Sequence, residues 1–358
     1  MACGASTLSH LYNQLQTKYN IDMSKFLIVD SQNLFFRARH VTRGTLEEKT
    51  GLALDIILSS ISKCWRDFKP DHVVFCLDSR SWRKDFYQPY KANRVVDRST
   101  QSVKDAEEHA AFRETFNDFL KYLNERTNCT VLQNSVLEAD DLVAGFIQSL
   151  PDDEHLIISS DTDFVQLLNT NVSQYNGISK ELLTINGVYD IKGNLVIDKK
   201  TKEPKVVPDP EWLLFSKCVK GDPTDNVFSA YPGVRVKSSK KKIGLLEAYA
   251  DRNRKGYAYN NFMLQKWLHH DGTEHRVMDD YQRNVTLVDL SAQPAHIRDE
   301  ITKTILENQI TKSNPQVGSH FLKFCGKHDL ITLSQNAQLF ATILSSPYPC
   351  SNITEISA

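Results

Sequence analysis

Leu156-Ile157-Ile158-Ser159-Ser160-Asp161-Thr162-Asp163 is an apolar run that stops in a pair of acids. Two earlier stretches have the same form: Phe26-Leu27-Ile28-Val29 ends in Asp30, and Val73-Val74-Phe75-Cys76-Leu77 ends in Asp78. Short unbroken apolar runs read as strands buried on both faces of a parallel sheet, and open α/β sheets place ligands beyond the carboxyl ends of such strands. Three strands would therefore deliver carboxylates to one edge.

The segments between them support the same fold class. Leu54, Ile57, Leu58, Ile61 and Trp65 share one face of a helix expected from about Leu52 to Phe68, and Lys69-Pro70-Asp71 ends it. Phe112, Phe116, Phe119, Leu120 and Leu123 mark a second helix, a short strand is expected near Val131-Leu132, and Leu142 to Ile147 continue a third helix. Strand and helix thus alternate through residue 168, which predicts a central, mostly parallel sheet flanked by helices. Turn signals at Gly187 and Gly193-Asn194 suggest a hairpin excursion over 186–208. Asp209-Pro210 then opens a helix that closes near Lys220-Gly221. Beyond Asn226 the pattern is mainly helical, with helices expected at Leu245–Tyr249, Asn261–Leu268, Asp279–Val288 and Ile297–Glu307. The expected organisation is a flanking arm at 1–23, an α/β domain at 24–225 with a basic segment at 80–104, a helical subdomain at 226–312 and a tail at 313–358.

Glu138-Ala139-Asp140-Asp141 opens the third helix, and Gly221-Asp222-Pro223-Thr224-Asp225-Asn226 sets two more acids around a turn. A lone Asp after a strand is commonly a helix cap, and acids in a first turn complement the helix dipole. Capping explains one oxygen per helix start, not three acids within four residues followed by an Asp-x-Asp pair. Convergence would put Asp30, Asp78, Glu138, Asp140, Asp141, Asp161, Asp163, Asp222 and Asp225 in one cleft. Two like charges 4 Å apart repel by about 4 kcal/mol at an effective dielectric near 20, so such a cluster requires cations. All-oxygen ligands without His or Cys suit Mg²⁺ or Mn²⁺ better than zinc.

Composition excludes several classes. The chain has 358 residues, is 41% hydrophobic and 24% charged, and carries a net charge of −1, as an ordinary globular protein does. No apolar run approaches the ~20 residues of a membrane span, and no signal peptide is evident, so a cytoplasmic location without membrane contact is expected. The seven cysteines are scattered and never spaced Cys-x-x-Cys, as reduced structural thiols are. Seven cations against two acids occupy 80–104, interleaved with aromatics in Ser81-Trp82-Arg83-Lys84-Asp85-Phe86-Tyr87-Gln88-Pro89-Tyr90-Lys91-Ala92-Asn93-Arg94. Eight against two occupy 235–255. Two basic segments beside an acidic cleft suit phosphodiester chemistry, in which positive surface holds the backbone and carboxylates hold metal.

Taken together, Val29-Asp30, Leu77-Asp78, Glu138-Ala139-Asp140-Asp141, Ser160-Asp161-Thr162-Asp163 and Gly221-Asp222 through Asp225-Asn226 resemble the 5′-nuclease family. That family contains flap endonucleases, the 5′-nuclease domain of bacterial DNA polymerase I and phage 5′-exonucleases. Trp82-Arg83-Lys84-Asp85-Phe86, Tyr90-Lys91 to Arg94 and Tyr281-Gln282-Arg283-Asn284 look most like the T-even bacteriophage ribonuclease H branch. The similarity spans about residues 25–310.

The resemblance implies a PIN/5′-nuclease-like fold with a C-terminal subdomain of helix-hairpin-helix type, and two Mg²⁺ ions with Mn²⁺ as substitute. Asp30, Asp78, Glu138, Asp140 and Asp161 would surround one ion with Asp141 beside them, and Asp163, Asp222 and Asp225 the second. Lys91 and Arg94 would contact the scissile phosphate, Tyr90 would stack on a base, and Arg83 and Lys84 would assist binding. Arg235, Lys237, Lys240, Lys241 and Lys242 would hold duplex, with Arg235 replacing the second glycine of the family's Gly-Ile/Val-Gly-x-Lys hairpin. The implied substrates are DNA and RNA·DNA duplexes with 5′ ends or flaps, cut by a monomer in the host cytoplasm if phage-encoded.

The competing readings are a PIN-type ribonuclease acting on structured RNA and a non-catalytic structure-specific DNA-binding protein. The first leaves the basic segment at 80–104 and the helical half after 226 unexplained, and the second requires loss of an acid, whereas none is missing. A sliding clamp or single-strand-binding protein is a further candidate partner, the former through Gln338-Leu339-Phe340.

Overall fold

The computed structural model describes residues 23–41, 44–94, 102–239, 242–269, 272–309 and 312–349. β1 (Lys25–Asp30), β2 (His72–Cys76), β3 (Thr130–Leu132), β4 (Glu154–Ile158), β5 (Val172–Asn176), β6 (Glu181–Thr184) and β7 (Gly187–Tyr189) form one sheet in the order β3-β2-β1-β4-β5-β6-β7. The first five strands are parallel, and β6 and β7 join antiparallel. Strand order reverses direction at β1, so β1 and β4 open a crevice at their carboxyl ends, where Asp30 and Asp161 lie.

Successive residues of a strand point to opposite faces, and the core divides accordingly. Leu27, Val29, Val73, Phe75, Leu156 and Ile158 pack on one side with α1 (Ser31–Val41), α2 (Leu46–Phe68) and α4 (Val103–Arg126). Phe26, Ile28, Val74, Cys76 and Ile157 pack on the other with α5 (Ala139–Ser149). Between β2 and α4 the one-turn helix α3 (Arg83–Phe86) leads into the basic segment, whose residues 95–101 lie outside the described residues.

α2 starts earlier than apolar periodicity suggests because Thr45 and Glu48 make a reciprocal capping box. α6 (Pro210–Lys220) follows expectation, with Asp209 accepting the Trp212 N–H at 2.7 Å. It ends at Gly221, whose φ of 78° and whose missing side chain are both required. A Cβ there would lie 2.4 Å from the Val227 carbonyl. That close approach turns the chain into Asp222, which bridges to Val227.

α7 (Leu245–Asp251), α8 (Tyr257–Met263), the hairpin of β8 (Lys266–Leu268) and β9 (Glu274–Arg276), and α9 (Val277–Val288) gather around Phe215, Val219, Tyr231, Leu245, Phe262 and Met263. The helix expected over Asn261–Leu268 therefore stops at Met263, and Trp267 alternates with exposed neighbours in a strand. α10 (Ala295–Asn308), expected in the helical subdomain, instead sets Ile297, Ile301 and Ile305 into the sheet core beside α5.

The segment read as a tail also belongs to the core. α11 (Val317–Lys327), α12 (Ile331–Ser334) and α13 (Ala337–Leu344) bring Phe321, Phe324, Phe340 and Ile343 against the face covered by α2. Phe340 is 1% exposed and stacks on Phe321, so the aromatic of Gln338-Leu339-Phe340 is committed to the core.

Two buried histidines tie this scaffold together in the neutral state. His72 receives the Thr130 N–H at its Nε2, 3.2 Å away, so its Nδ1–H donates to the Pro347 carbonyl at 3.1 Å, and burial holds its pKa at about 4. Burial likewise holds His155, whose Nε2–H donates to Leu150 O, at about 4. The unfolded chain takes up these protons near pH 6.5 and the native state only near 4. Stability is thus lost as pH falls through that window, by up to about 3 kcal/mol per histidine. Urea midpoints measured from pH 7 to 4.5 are expected to fall, and to fall less steeply in His155→Phe; an unchanged slope in the variant would exclude this assignment.

Candidate active site

β1, β2 and β4 deliver Asp30, Asp78 and Asp161 to one edge, as expected, and the start of α5 adds Glu138 and Asp140 beside them. Asp30 accepts from Ser159 Oγ at 2.7 Å, Asp78 from the Ala139 N–H at 2.8 Å, and Asp161 from the Asp163 N–H at 2.9 Å. Asp30 is pushed up to about 7, first by burial and then by the charges of Asp78 and Asp161. Asp140 is raised well above the usual carboxylate range by burial and by the Asp30, Asp78 and Asp161 charges, against the lowering pull of Lys91. Asp78 is also raised, first by burial of its carboxyl and then by the Glu138 charge, against the lowering pull of the Ala139 N–H, Lys91 and Arg94.

Two lysines enter this field. Lys91 pairs with Glu138 and lies 3.5 Å from Asp225; Arg94 reaches the other Asp225 oxygen at 2.8 Å. Burial opposes ionisation of Glu138, but Lys91 and Arg83 outweigh it and hold its pKa at about 2. Lys217, on the last turn of α6, pairs with Asp163 and with Asp222 at 2.7 Å. Burial raises Asp163 despite Lys217, whereas at Asp222 the same ammonium overcomes burial and lowers the pKa. Lys217 was not singled out from sequence, because a lysine in a last helical turn reads as an ordinary dipole complement. Its spacing of one helical turn before the Gly221-Asp222 turn was the available signal.

Three assignments are corrected. Asp141 is fully buried and takes two Arg83 contacts, at 2.8 and 2.9 Å, together with the Trp82 indole N–H at 3.1 Å, so it is a structural anion and not a metal ligand. Arg83 is 1% exposed, also reaches Glu138 at 3.1 Å and donates to the Leu287 carbonyl at 2.8 Å, so it does not contact nucleic acid. Tyr90 is buried with its hydroxyl 3.0 Å from both Glu138 and Asp225, which leaves no ring face for a base. Lys84 remains exposed, as do Arg235, Lys237 and Lys242, while Lys240 and Lys241 lie outside the described residues.

The hairpin segment is shaped by its backbone. The Arg235 and Val236 carbonyls accept the first N–H groups of α7, Leu245 at 3.0 Å and Leu246 at 2.9 Å. Gly244 lets the chain pass there: a Cβ would come within 2.3 Å of the Lys237 carbonyl carbon. Arg235 and Lys242 line a hollow with Tyr231, Pro232 and Gly233.

The donor set fits hard divalent cations. It is all oxygen, Asp30 and Asp140 are raised by burial and then by neighbouring carboxylates, and the ammonium groups of Lys91 and Lys217 reach into it. Lys91 lies within reach of Glu138 and Asp225, and Lys217 of Asp163 and Asp222.

Residues 25–194 match the family model for the 5′-3′ exonuclease N-terminal resolvase-like domain. The chain is 27% identical over 240 residues to a 5′-3′ exonuclease of Bacillus subtilis, covering 64% of this chain and 72% of that protein. It is 27% identical over 238 residues to DNA polymerase I of Rhizobium leguminosarum, covering 63% of this chain and only 20% of the polymerase. Its fold resembles that of the bacteriophage T5 D15 flap endonuclease, solved as a pseudo-enzyme–product complex with DNA and metal ions. The TM-score is 0.54 at 19% identity, over 79% of this chain and 98% of that one.

Removing the Arg83 charge leaves Asp141 buried without its cationic partner, while Glu138 keeps Lys91. Arg83→Met is expected to cost about 3–5 kcal/mol of unfolding free energy, and Arg83→Met with Asp141→Leu to recover much of it. Chemical denaturation checks both; a loss under about 1 kcal/mol in the single variant would remove Arg83 from this role.

Proposed function

This chain belongs to the 5′-3′ exonuclease and flap endonuclease family, and from that premise we propose that it removes RNA primers and trims lagging-strand fragments, cutting RNA·DNA hybrids as well as DNA. It is a 5′-nuclease acting on DNA. The observation that carries the mechanism is the elevation of Asp30, Asp78 and Asp140 at the β1/β4 crevice, in each first by burial and then by neighbouring carboxylates, a charge conflict that cations relieve.

Two Mg²⁺ ions, with Mn²⁺ as substitute, would be held by Asp30, Asp78, Glu138, Asp140 and Asp161 and by Asp163, Asp222 and Asp225. Bound there, they would supply an activated water and neutralise charge on the attacking and leaving oxygens. Lys91 and Arg94, at the mouth of the acidic cleft, stabilise negative charge on the scissile phosphate. Lys84, Arg235, Lys237, Lys240, Lys241 and Lys242 hold the duplex away from the chemistry, and the product carries a 5′-phosphate.

Asp161→Asn is expected to slow cleavage of a 5′-flap DNA and an RNA·DNA hybrid at least about a hundredfold while leaving substrate affinity near wild type. EDTA abolishes cleavage and Mg²⁺ restores it. Wild-type turnover by the variant, or full activity in chelator, would sink the site assignment. Cutting of structured RNA in preference to both substrates would favour the ribonuclease reading.

The two basic regions are expected to separate kinetically. Lys91→Ala lowers the single-turnover rate at saturating substrate. Lys240→Ala, Lys241→Ala and Lys242→Ala together weaken binding and flatten its salt dependence by up to about three phosphate contacts, sparing that rate. Loss of the chemical step at unchanged affinity in the triple variant would refute this division.

A further inference from the structure

The apolar pattern of the sheet continues past its last strand. Tyr175, in the core face of Val29 and Ile158, pairs with Leu182, which pairs with Tyr189. Tyr189 bridges Leu195 and, two residues on, Ile197 bridges Pro204. Cross-strand partners and residues two apart share a face, so Leu195, Ile197 and Val206 extend the core side of the sheet. They are 47%, 49% and 84% exposed.

Next to this strip is the turn Asp198–Glu203. Lys199, Lys200 and Lys202 are exposed there and make no ion pair among the described residues. The acids around them are committed elsewhere. Asp198 accepts the N–H groups of Lys200 and Thr201 at 2.7 and 3.0 Å, Asp190 closes its own turn through Lys192 N at 2.8 Å, and Glu181 pairs with Lys205 at 2.6 Å. Within the turn, Asp198, turned inward onto those N–H groups, and the exposed Glu203 stand against three outward lysines, an excess of one cation.

The position of the turn separates it from the cleft. β5 runs parallel to β4, and β6, β7 and the Leu195–Ile197 segment each reverse direction in succession. The turn after Ile197 thus falls at the amino ends of β1 and β4, opposite Asp30 and Asp161. A nucleic acid engaged at the cleft has no use for aliphatic side chains there, whereas unbalanced lysines beside an aliphatic strip complement carboxylates interleaved with apolar side chains.

We infer that this edge of the sheet docks an acidic, leucine- and phenylalanine-containing segment of a protein partner. Its carboxylates meet Lys199, Lys200 and Lys202, and its apolar side chains cover Leu195, Ile197 and Val206. The inference does not depend on the catalytic reading.

The test uses the full chain and a fluorescent synthetic peptide alternating Asp and Glu with Leu and Phe, titrated by anisotropy near physiological salt. Saturable binding is expected. It should weaken about tenfold or more in Lys199→Glu/Lys200→Glu/Lys202→Glu and in Ile197→Ser/Val206→Ser, with flap cleavage unchanged. The inference is overturned by absence of saturable binding or by equal binding to both variants. It is also overturned if phosphatidylglycerol vesicles or flap DNA engage the same lysines in place of the peptide. Peptide binding that appears only after removal of residues 1–22 would likewise overturn it, assigning the strip to the chain's own N-terminal segment.

Discussion

Repulsion among the carboxylates at the carboxyl ends of β1, β2 and β4 is the constraint around which the rest of this structure is arranged. At an effective dielectric near 20, each close pair costs several kcal/mol if both members are ionised. The protein meets that cost in two ways. Glu138 and Asp222 are matched by internal cations and stay ionised, while Asp30, Asp78 and Asp140 are not matched and are pushed toward protonation. Lys91 and Lys217 mark where positive charge is most strongly favoured. Divalent ions in the same field would free both lysines for phosphate.

The cleft is assembled from distant parts of the chain, and direct hydrogen bonds join them. The Lys91 N–H donates to the Asp225 carbonyl at 2.8 Å, and the Asn226 amide donates to Pro89 O at 2.7 Å. Lys91 itself adopts φ 52°, a left-handed conformation sustained by those contacts. Arg83 extends the connection to the end of α9 through Leu287 O. Displacing any of these elements moves Glu138 or Asp225.

Much of this was legible in the sequence because it depends on local signals. Buried strands read as apolar runs, their terminal acids followed directly, and Asp209-Pro210 announced α6. What was missed depends on contacts made across the fold. Arg83 looks like any cation in a basic segment until its partner Asp141, 58 residues away, is seen to be buried. α11 to α13 carry too short an apolar pattern to distinguish a core layer from a tail, and Trp267 became part of a strand only through its partner His275. The early start of α2 was a local signal overlooked, since Thr45 and Glu48 stand in capping-box spacing.

The central claim, a proposal about binding, is that this acidic crevice would hold two divalent ions beside Lys91 and Lys217. Calorimetric titration of Mg²⁺ into the full chain, without nucleic acid, tests it directly. Two ions are expected to bind wild type, with Asp140→Asn weakening one and Asp163→Asn the other, and with Lys217→Met changing affinity at the second alone. Binding of a single ion, or affinities unchanged by either acid substitution, would contradict the account.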